Sequence, residues 1–416
     1  MAVDAVPQPA RQNVEEIQSA DLVVGILAEL DQPSIAGVCD SLRALPGTPR
    51  AMVLYHRAAP HSEPATAEQP ATPEGDSVSL IPLQLQDPGA PGPIASIVAA
   101  YESVFRTADR LGARGCCVIA SRLERADPQW VQRLSGPLLD GSLDFIAPCY
   151  TRHKFEGLLN NSIVYPLSRS LYGRRIQNPM GPDLGISQRF LQRLLANQEG
   201  KPAGGLHLLA SVAPLACCEN FQVAQLYLGS RTYPPVDWTS VSSLLAEILG
   251  PVFLTVERNA ACWQKTRNSM QVKALNNPPP PEQTAATVEL DRLLSSFQQG
   301  TRDLQEIWGL VLPPASLLEI RKISRLAPEQ FLFPDSLWSR IVYDFALAHR
   351  LRTINRDHLL RSLTPLYLGW IASYSREFET SGTVAVEKQL ERLSLAYEAE
   401  KPYLVSRWRW PDRFNP

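Results

Sequence analysis

The amino-acid sequence predicts an α/β fold with a mostly parallel sheet, followed by a smaller α-helical C-terminal region. Three observations lead to this prediction. Short apolar runs alternate with helical patterns from residue 21 onward, as they do where helices connect parallel strands. A run of prolines near residue 280 then interrupts the pattern. Beyond that run, helical periodicity dominates the rest of the chain.

The first apolar segments read as strands of a buried sheet. Residues 21–26 (DLVVGI) and 51–55 (AMVLY) have the length and apolar character of such strands, and a helix is predicted between them at 33–45. Residues 56–77 are rich in proline, alanine and glutamate without apolar periodicity, which predicts a low-complexity insertion. A third strand is expected at 79–85.

The next helix and strand define where a ligand is expected. Apolar residues from Ile97 to Ala108 fall on one face of a predicted helix at 94–111, which ends at Gly112. The strongly apolar run 115–120 is predicted to be a strand. Because ligands of open α/β sheets bind beyond the carboxyl ends of the strands, the end of this strand is the predicted ligand site.

The organisation expected along the chain has four parts. A disordered segment at 1–19 precedes an α/β domain at 20–275, a proline-rich linker at 276–286 and an α-helical domain at 287–416. Helices of that last domain are predicted at 288–297, 303–311, 337–350 and 384–397. Within it, Asn355 is expected to cap a helix, which favours a structural role for His358 and Arg361 over contact with a ligand.

Composition excludes some classes of function. The chain has 416 residues, 44% of them hydrophobic, which suffices for two to three domains with their own cores. Its 40 lysines and arginines balance 42 aspartates and glutamates, a charge unlike that of a protein that binds nucleic acid through bulk charge. The 36 prolines make up about 9% of the chain, compared with a usual share of roughly 5%.

The chain is predicted to be cytoplasmic. No apolar run reaches the roughly 18 residues of a membrane-spanning helix, and the polar N-terminus lacks the pattern of a signal peptide. The adjacent pairs Cys116-Cys117 and Cys217-Cys218 have the wrong spacing for a zinc site or a redox pair. All seven cysteines are therefore expected to be free thiols, mostly buried, in a reducing compartment.

Several stretches resemble family-2-like GT-A glycosyltransferases, the group that includes the glucosylglycerate and mannosylglycerate synthases. The resemblance covers most of residues 21–408 and is carried by long stretches that match in order. They are GARGCCVIASRLERADPQWVQRL at 112–134, KFEGLLNNSIVYPLSRSLYGRRIQNPMGPDLGIS at 154–187, NFQVAQLYLGSRTYPP at 220–235, LWSRIVYDFALAHRLRTINRDHLLRSLTPLYLGWIASY at 337–374 and KPYLVSRW at 401–408. This resemblance implies a GT-A fold, a nucleotide-diphosphate sugar and transfer of a hexose to glycerate or phosphoglycerate.

The same resemblance exposes departures at the metal and donor positions. Relatives use Mg or Mn held by an Asp-x-Asp motif, and here Ala120-Ser121-Arg122 stands in its place. Their metal-binding histidine aligns with Tyr233, and a donor-loop lysine aligns near Pro93. A proline-serine-tyrosine loop aligns with Leu27-Ala28-Glu29. Since these side chains do not replace the missing oxygen ligands, no metal cofactor is expected.

Candidate residues follow from the alignment with these relatives. Arg122 and Arg125 are candidates for binding the donor diphosphate in place of a metal, with solvent-facing arginines as the alternative. Asp183 keeps the position of an acidic residue near the acceptor and is a candidate catalytic base. Its alternative role is in the region that caps the next helix, together with Ser187. His207 aligns with an aspartate and is a second catalytic candidate, with a packed histidine as the alternative.

The segment around residues 152–175 carries a basic cluster. Arg152, Lys154, Arg174 and Arg175 are the candidate acceptor-binding residues, because such groups meet the carboxylate or phosphate of the acceptor in the relatives. A solvated helix face is the alternative reading.

Two functions therefore remain open. One is an active glycosyltransferase that uses a nucleotide sugar and a small carboxylate or phosphate acceptor. The other is a catalytically inactive pseudo-glycosyltransferase that serves as a binding or regulatory subunit. Neither involves nucleic acid or a membrane span, and both leave a homo- or hetero-oligomer open.

Overall fold

The computed structural model describes residues 17–27, 32–47, 49–55, 77–82, 93–120, 129–198, 206–230, 240–277 and 289–411. Its contacts divide the chain into two compact units. The first comprises residues 1–148, 181–204 and 221–228, and the second comprises 149–180, 205–220 and 229–416.

The strands and helices are as follows. The strands are β1 (Leu22–Ile26), β2 (Ala51–Tyr55), β3 (Val78–Pro82), β4 (Gly115–Ile119), β5 (Phe145–Thr151), β6 (Arg174–Arg175), β7 (Leu184–Ser187), β8 (Val223–Ser230), β9 (Met270–Gln271) and β10 (Lys273–Ala274). The helices are α1 (Gln32–Arg43), α2 (Pro93–Arg110), α3 (Gln129–Leu139), α4 (Tyr165–Tyr172), α5 (Gln188–Gln198), α6 (His207–Cys218), α7 (Val241–Arg258), α8 (Ala260–Trp263), α9 (Leu290–Asp303), α10 (Gln305–Val311), α11 (Pro314–Ile323), α12 (Asp335–Leu351), α13 (Arg356–Ser362), α14 (Thr364–Phe378) and α15 (Thr383–Arg409). A π-helical turn (Asn160–Val164) precedes α4, and a short 3-10 helix (Pro328–Gln330) precedes α12.

The first unit is built on the mostly parallel sheet that the sequence predicts. Within this unit the strands follow the order β3-β2-β1-β4-β7-β5-β8. Strands β1, β2, β3 and β4 pair in parallel, whereas β7 runs antiparallel to both β4 and β5. Every residue of β1 and of β4 is buried, which explains why both read as unbroken apolar runs. The predicted α/β fold class is confirmed.

Helix α2 covers one face of β1. Tyr101, Val104 and Phe105 are fully buried, as the helical pattern predicts, but Ile97 at the start of that pattern is exposed. Gly25 of β1 permits the close approach, since a Cβ at this position would lie 2.6 Å from a methyl carbon of Val104.

The second unit is a helical assembly around a large apolar core. Trp263, Trp308, Trp338 and Phe297 are among its fully buried side chains. Gly369 permits the close packing of α14 against α9, since a Cβ at this position would lie 2.6 Å from the ring of Phe297. The predicted C-terminal helical region is present. Its last helix continues through a proline at position 402 to Arg409, beyond the predicted end at 397, because Leu404 and Trp408 remain buried.

The contacts do not divide the chain at the predicted boundary near residue 276. Residues 149–180, 205–220 and 229–275 belong to the same unit as the C-terminal helices. Hydrogen bonds explain the grouping: the carbonyl of Ser162 accepts from Trp338 Nε1 at 3.0 Å and from the hydroxyl of Tyr397 at 2.8 Å. Residues 56–76 of the insertion predicted at 56–77 lie outside the described residues. So do most of the predicted N-terminal segment and most of the predicted linker.

One expectation about the cysteines is wrong. Cys218, at the end of α6, and Cys262, in α8, form a disulfide. The spacing argument missed it because the partners are 44 residues apart on different helices. The other five cysteines are free thiols, four of them buried, as expected. Disulfides are uncommon in reducing compartments, so this pairing weighs against the prediction of a reducing cytoplasm. Among the described residues, no helix is long and apolar enough to cross a membrane.

Candidate functional site

The sheet of the first unit has a switch point between β1 and β4. From β1 the chain proceeds to β2 and β3 on one side, and β4 lies on the other side. The carboxyl ends of β1 and β4 are joined by a hydrogen bond of 2.7 Å from the Leu27 N–H to the carbonyl of Ile119. Ligands of open α/β sheets bind in the crevice outside such a switch point. The switch point coincides with the end of residues 115–120, where the sequence predicts a ligand site.

Asp183 lies at this switch point. Its side chain is 1% exposed, and its Oδ1 accepts a hydrogen bond of 2.8 Å from the backbone N–H of Ala120, just beyond β4. The preceding residue is also fixed, because the hydroxyl of Tyr101 on α2 donates to the carbonyl of Pro182. The backbone just beyond β4 therefore holds the Asp183 side chain in place. This contact is distinct from the alternative role of Asp183 in the region that caps the next helix.

Ser187 caps the helix that follows, α5. Its Oγ accepts from the N–H of Phe190 at 3.3 Å and donates to Asp144 at 2.9 Å. Asp144 also accepts from Arg189 and from the N–H of Gln222 at 2.9 Å. Burial acts to raise the pKa of Asp144, but these hydrogen bonds outweigh burial and lower it. Asp183 precedes β7, whereas Ser187 ends it. The network of Ser187 and Asp144 therefore lies at the opposite ends of the strands from Asp183.

Among the described residues at the switch point, no side chains are arranged to hold a divalent metal. Ala120, at the aligned Asp-x-Asp position, has no oxygen in its side chain, and its N–H is bound to Asp183. Among the residues that the structure describes, no three His, Cys, Asp or Glu side chains are placed to hold a metal ion. Arg122, Arg125 and Tyr233 lie outside those residues.

The predicted acceptor residues belong to the second unit, and three of them contact other groups of that unit: Lys154, Arg152 and Arg175. Lys154 Nζ donates to the carbonyls of Glu379 at 2.5 Å and Ser381 at 3.2 Å. The hydroxyl of Tyr374 donates back to the carbonyl of Lys154 at 2.8 Å. Lys154 thus fixes the turn that follows α14. Arg152 lies over the ring of Tyr150, with 5.2 Å between guanidinium carbon and ring centroid.

Arg174 and Arg175 form β6, which pairs with β9. Arg175 Nε donates to the hydroxyl of Ser269 at 3.1 Å, and its Nη1 lies 3.7 Å from Glu391. Arg174 is partly exposed. Both residues are partly covered, so the structure leaves both an acceptor-binding role and a solvated face open for them.

Arg169, another member of the basic cluster in the sequence, lies beside this strand and is paired within the protein. Arg169 on α4 is completely buried and donates to both carboxylate oxygens of Glu391 at 2.5 and 2.8 Å. Its Nε donates to Glu398 at 2.7 Å. The sequence shows this residue only as one more basic group in a cluster, since both acidic partners lie more than 220 positions away.

His207 is the first residue of α6 and is partly buried. It lies close enough to His349 for its charge to affect that side chain. Burial chiefly, together with the charges of Arg356, Arg352 and His207, lowers the pKa of His349 to about 4. The ring of His349 packs edge-on against Phe253, with 5.9 Å between centroids. His207 belongs to the second unit, whereas Asp183 belongs to the first.

Comparisons with known proteins give matches among solved structures alone. No family model and no curated protein matches the chain. A crystal structure of a mycobacterial protein is 18% identical, with a TM-score of 0.37 over 59% of this chain and 78% of that one. Glucosyl-3-phosphoglycerate synthase from Mycobacterium tuberculosis, in complex with Mg²⁺ and uridine diphosphate, is 16% identical with a TM-score of 0.37, over 59% of this chain and 83% of that one. The same synthase with Mn²⁺, uridine diphosphate and glucosyl-3-phosphoglycerate is 16% identical with a TM-score of 0.36, over 61% and 88%.

These matches are distant, at 16–18% identity. The chain is similar, over about three fifths of its length, to solved structures of a glucosyl-3-phosphoglycerate synthase.

Proposed function

We propose that this chain binds a nucleotide-diphosphate sugar at the carboxyl ends of β1 and β4 and transfers its hexose to a small acid such as glycerate or phosphoglycerate. The observation that carries the proposal is the position of Asp183. A buried carboxylate lies at the switch point of a mostly parallel sheet, where ligands of such sheets bind. The sequence resemblance places an acidic residue near the acceptor at this same position.

The proposed reaction exchanges one bond at the sugar. The bond from the anomeric carbon to the diphosphate oxygen breaks, and the acceptor hydroxyl oxygen bonds to that carbon. The hydroxyl proton passes to a base, for which Asp183 is the first candidate and His207 the second. Arg122 and Arg125, which follow Ala120 closely in the sequence, are the candidates for neutralising the diphosphate, because a guanidinium pairs with two phosphate oxygens.

The four candidate acceptor-binding residues are not equally available to bind an acceptor. Lys154 and Arg175 are engaged with backbone carbonyls, a serine and a glutamate of their own unit. Arg152 packs over the ring of Tyr150. Arg174, which is partly exposed, is the stronger candidate for binding an acid acceptor.

The second candidate function is a non-catalytic relative that binds a nucleotide sugar or a partner without turnover. The observation that favours it is the engagement of predicted functional groups inside the protein. Asp183 holds the end of β4, and Lys154 holds the turn after α14. The departure at Ala120 from the metal motif points the same way.

Calorimetry and a transfer assay separate these functions. Uridine-diphosphate glucose and guanosine-diphosphate mannose would each be titrated with and without Mn²⁺, and hexosyl transfer to glycerate and 3-phosphoglycerate would be measured under the same conditions. Binding with transfer supports the first function. Binding without transfer supports the second. If neither donor binds, the first function is contradicted, and the second is left only with the binding of a partner.

A matched pair of variants tests the role of Asp183. Asp183→Asn keeps an oxygen that can accept from Ala120 but removes the base, so transfer should fall at least about 100-fold while donor binding persists. Asp144→Asn is the control, because Asp144 is an acid that also binds a backbone N–H, at the opposite ends of the strands. Equal transfer by the wild-type protein and Asp183→Asn would remove Asp183 from the reaction.

A further inference from the structure

A cleft in the second unit has no part in the proposed function. It has a volume of about 620 Å³ and lies between α10, α12 and the C-terminal end of α15. Small-molecule sites are mostly apolar and measure roughly 300–1,000 Å³. The walls of the cleft match that description, since Leu310, Leu347, Leu351 and Trp410 line them.

One buried cation faces this cleft. The side chain of Arg407 is 4% exposed and lines the cleft. Its Nη1 donates to the hydroxyl of Tyr403 at 3.0 Å, and its guanidinium lies 5.5 Å from the centre of the Tyr403 ring. Its Nε is buried and makes no hydrogen bond within the described part of the chain. A buried donor without an acceptor is costly, so an arriving acceptor would be favoured.

The neighbouring acid does not satisfy this guanidinium. Asp344 Oδ1 lies 3.4 Å from Arg407 Nε without the geometry of a hydrogen bond. The carboxylate accepts instead from the Tyr403 hydroxyl, which lies 2.8 and 2.9 Å from its two oxygens. Burial raises the pKa of Asp344 to about 7, against the opposing charges of Arg407 and Arg340. Arg340 is itself paired with Glu400 at 2.7 Å. Near neutral pH, the charge of Arg407 is therefore only partly neutralised by Asp344.

We propose that the cleft binds a small organic monocarboxylate with an apolar body. The carboxylate pairs with Arg407, and the apolar body packs between Leu351, Leu347 and Trp410. A monocarboxylate fits better than a phosphate dianion, because Arg407 is a single cation with the acid Asp344 beside it. Binding is favoured when Asp344 holds a proton, since the two carboxylates would otherwise compete for one guanidinium.

The test uses 2-naphthoate as probe and 2-naphthalenemethanol as its neutral counterpart, each titrated calorimetrically into the full chain. We expect saturable binding of the acid and at least tenfold weaker binding of the alcohol. We also expect affinity for the acid to fall between pH 6 and pH 8, as Asp344 loses its proton. Binding of both probes with equal affinity, or of neither, would overturn the proposal.

Variants locate the binding. Arg407→Gln should weaken binding of the acid at least tenfold. Leu351→Glu places a negative charge at the rim of the cleft, on a side chain that is 43% exposed, and should abolish binding without disturbing the core. Leu318→Glu is the matched control, because Leu318 is more exposed, at 64%, and does not line the cleft. Unchanged affinity in Leu351→Glu, or an equal loss in Leu318→Glu, would contradict the assignment.

Discussion

The disulfide between Cys218 and Cys262 should make the stability of the helical unit depend on redox conditions. The bond closes a loop between residues 44 positions apart and joins the end of α6 to α8. In the chain-entropy description, a loop of this length removes about 13 cal/mol/K from the unfolded chain, or about 4 kcal/mol at 25 °C. The double variant Cys218→Ser/Cys262→Ser should lose about this free energy of unfolding.

Thermal unfolding measures the effect. For a cooperative unit of 150–250 residues, the loss corresponds to a decrease in Tm of roughly 8–16 °C. Tryptophan fluorescence can follow it, since Trp263 is fully buried and adjacent to Cys262. A phosphine reductant should lower the Tm of the wild-type protein to that of the double variant and leave the variant unchanged.

A neighbouring thiol provides the control. Cys217→Ser changes a free cysteine beside the bond and should keep the sensitivity to reductant. The reasoning fails if reduced and oxidised wild-type protein unfold at the same temperature, or if alkylation under denaturing, non-reducing conditions labels Cys218 and Cys262 as fully as the free thiols.

Three further outcomes are expected. Arg169→Met should lower the free energy of unfolding by about 2 kcal/mol, because it removes the charge-assisted hydrogen bonds of a buried guanidinium to Glu391 and Glu398. Arg292→Met, at an exposed pair with Glu289, should cost less than about 1 kcal/mol in the same urea titration, and equal costs would contradict the argument. Asn355→Ala should cost about 1 kcal/mol, since Asn355 caps α13 by accepting from two backbone N–H groups, whereas Asn355→Asp should change little. The stability of the wild-type protein relative to Asp344→Asn should fall as pH rises from about 4 to about 7, because burial raises the pKa of Asp344 in the folded state and the proton that favours folding is lost over that range. A difference that is independent of pH would show that Asp344 does not titrate in this way.

Local pattern predicted much of the fold. The strand at 51–55 is found with the predicted bounds, and the helix predicted at 94–111 is found one residue earlier at each end. Asn355 caps a helix as expected, because an asparagine before a helical run satisfies backbone donors within three residues. These features depend on interactions between near neighbours, which the sequence displays directly.

Contacts between residues far apart in the chain could not be predicted from the sequence. The ion pair of the buried Arg169 with Glu391 joins positions that no sequence signal links, and so does the disulfide of Cys218 with Cys262. The position of Asp183 is intermediate. The resemblance to the family implied a place near the acceptor, but the position of Asp183 beside Ala120 depends on the antiparallel pairing of β7, which a pattern of parallel strands does not predict.

A crystal of this protein soaked with uridine-diphosphate glucose tests the central proposal most directly. The account predicts density for the nucleotide diphosphate beyond the carboxyl ends of β1 and β4, beside Ala120 and Asp183, with Arg122 or Arg125 on the diphosphate. Density for the nucleotide at another place, or none at a concentration that saturates binding in solution, would contradict it.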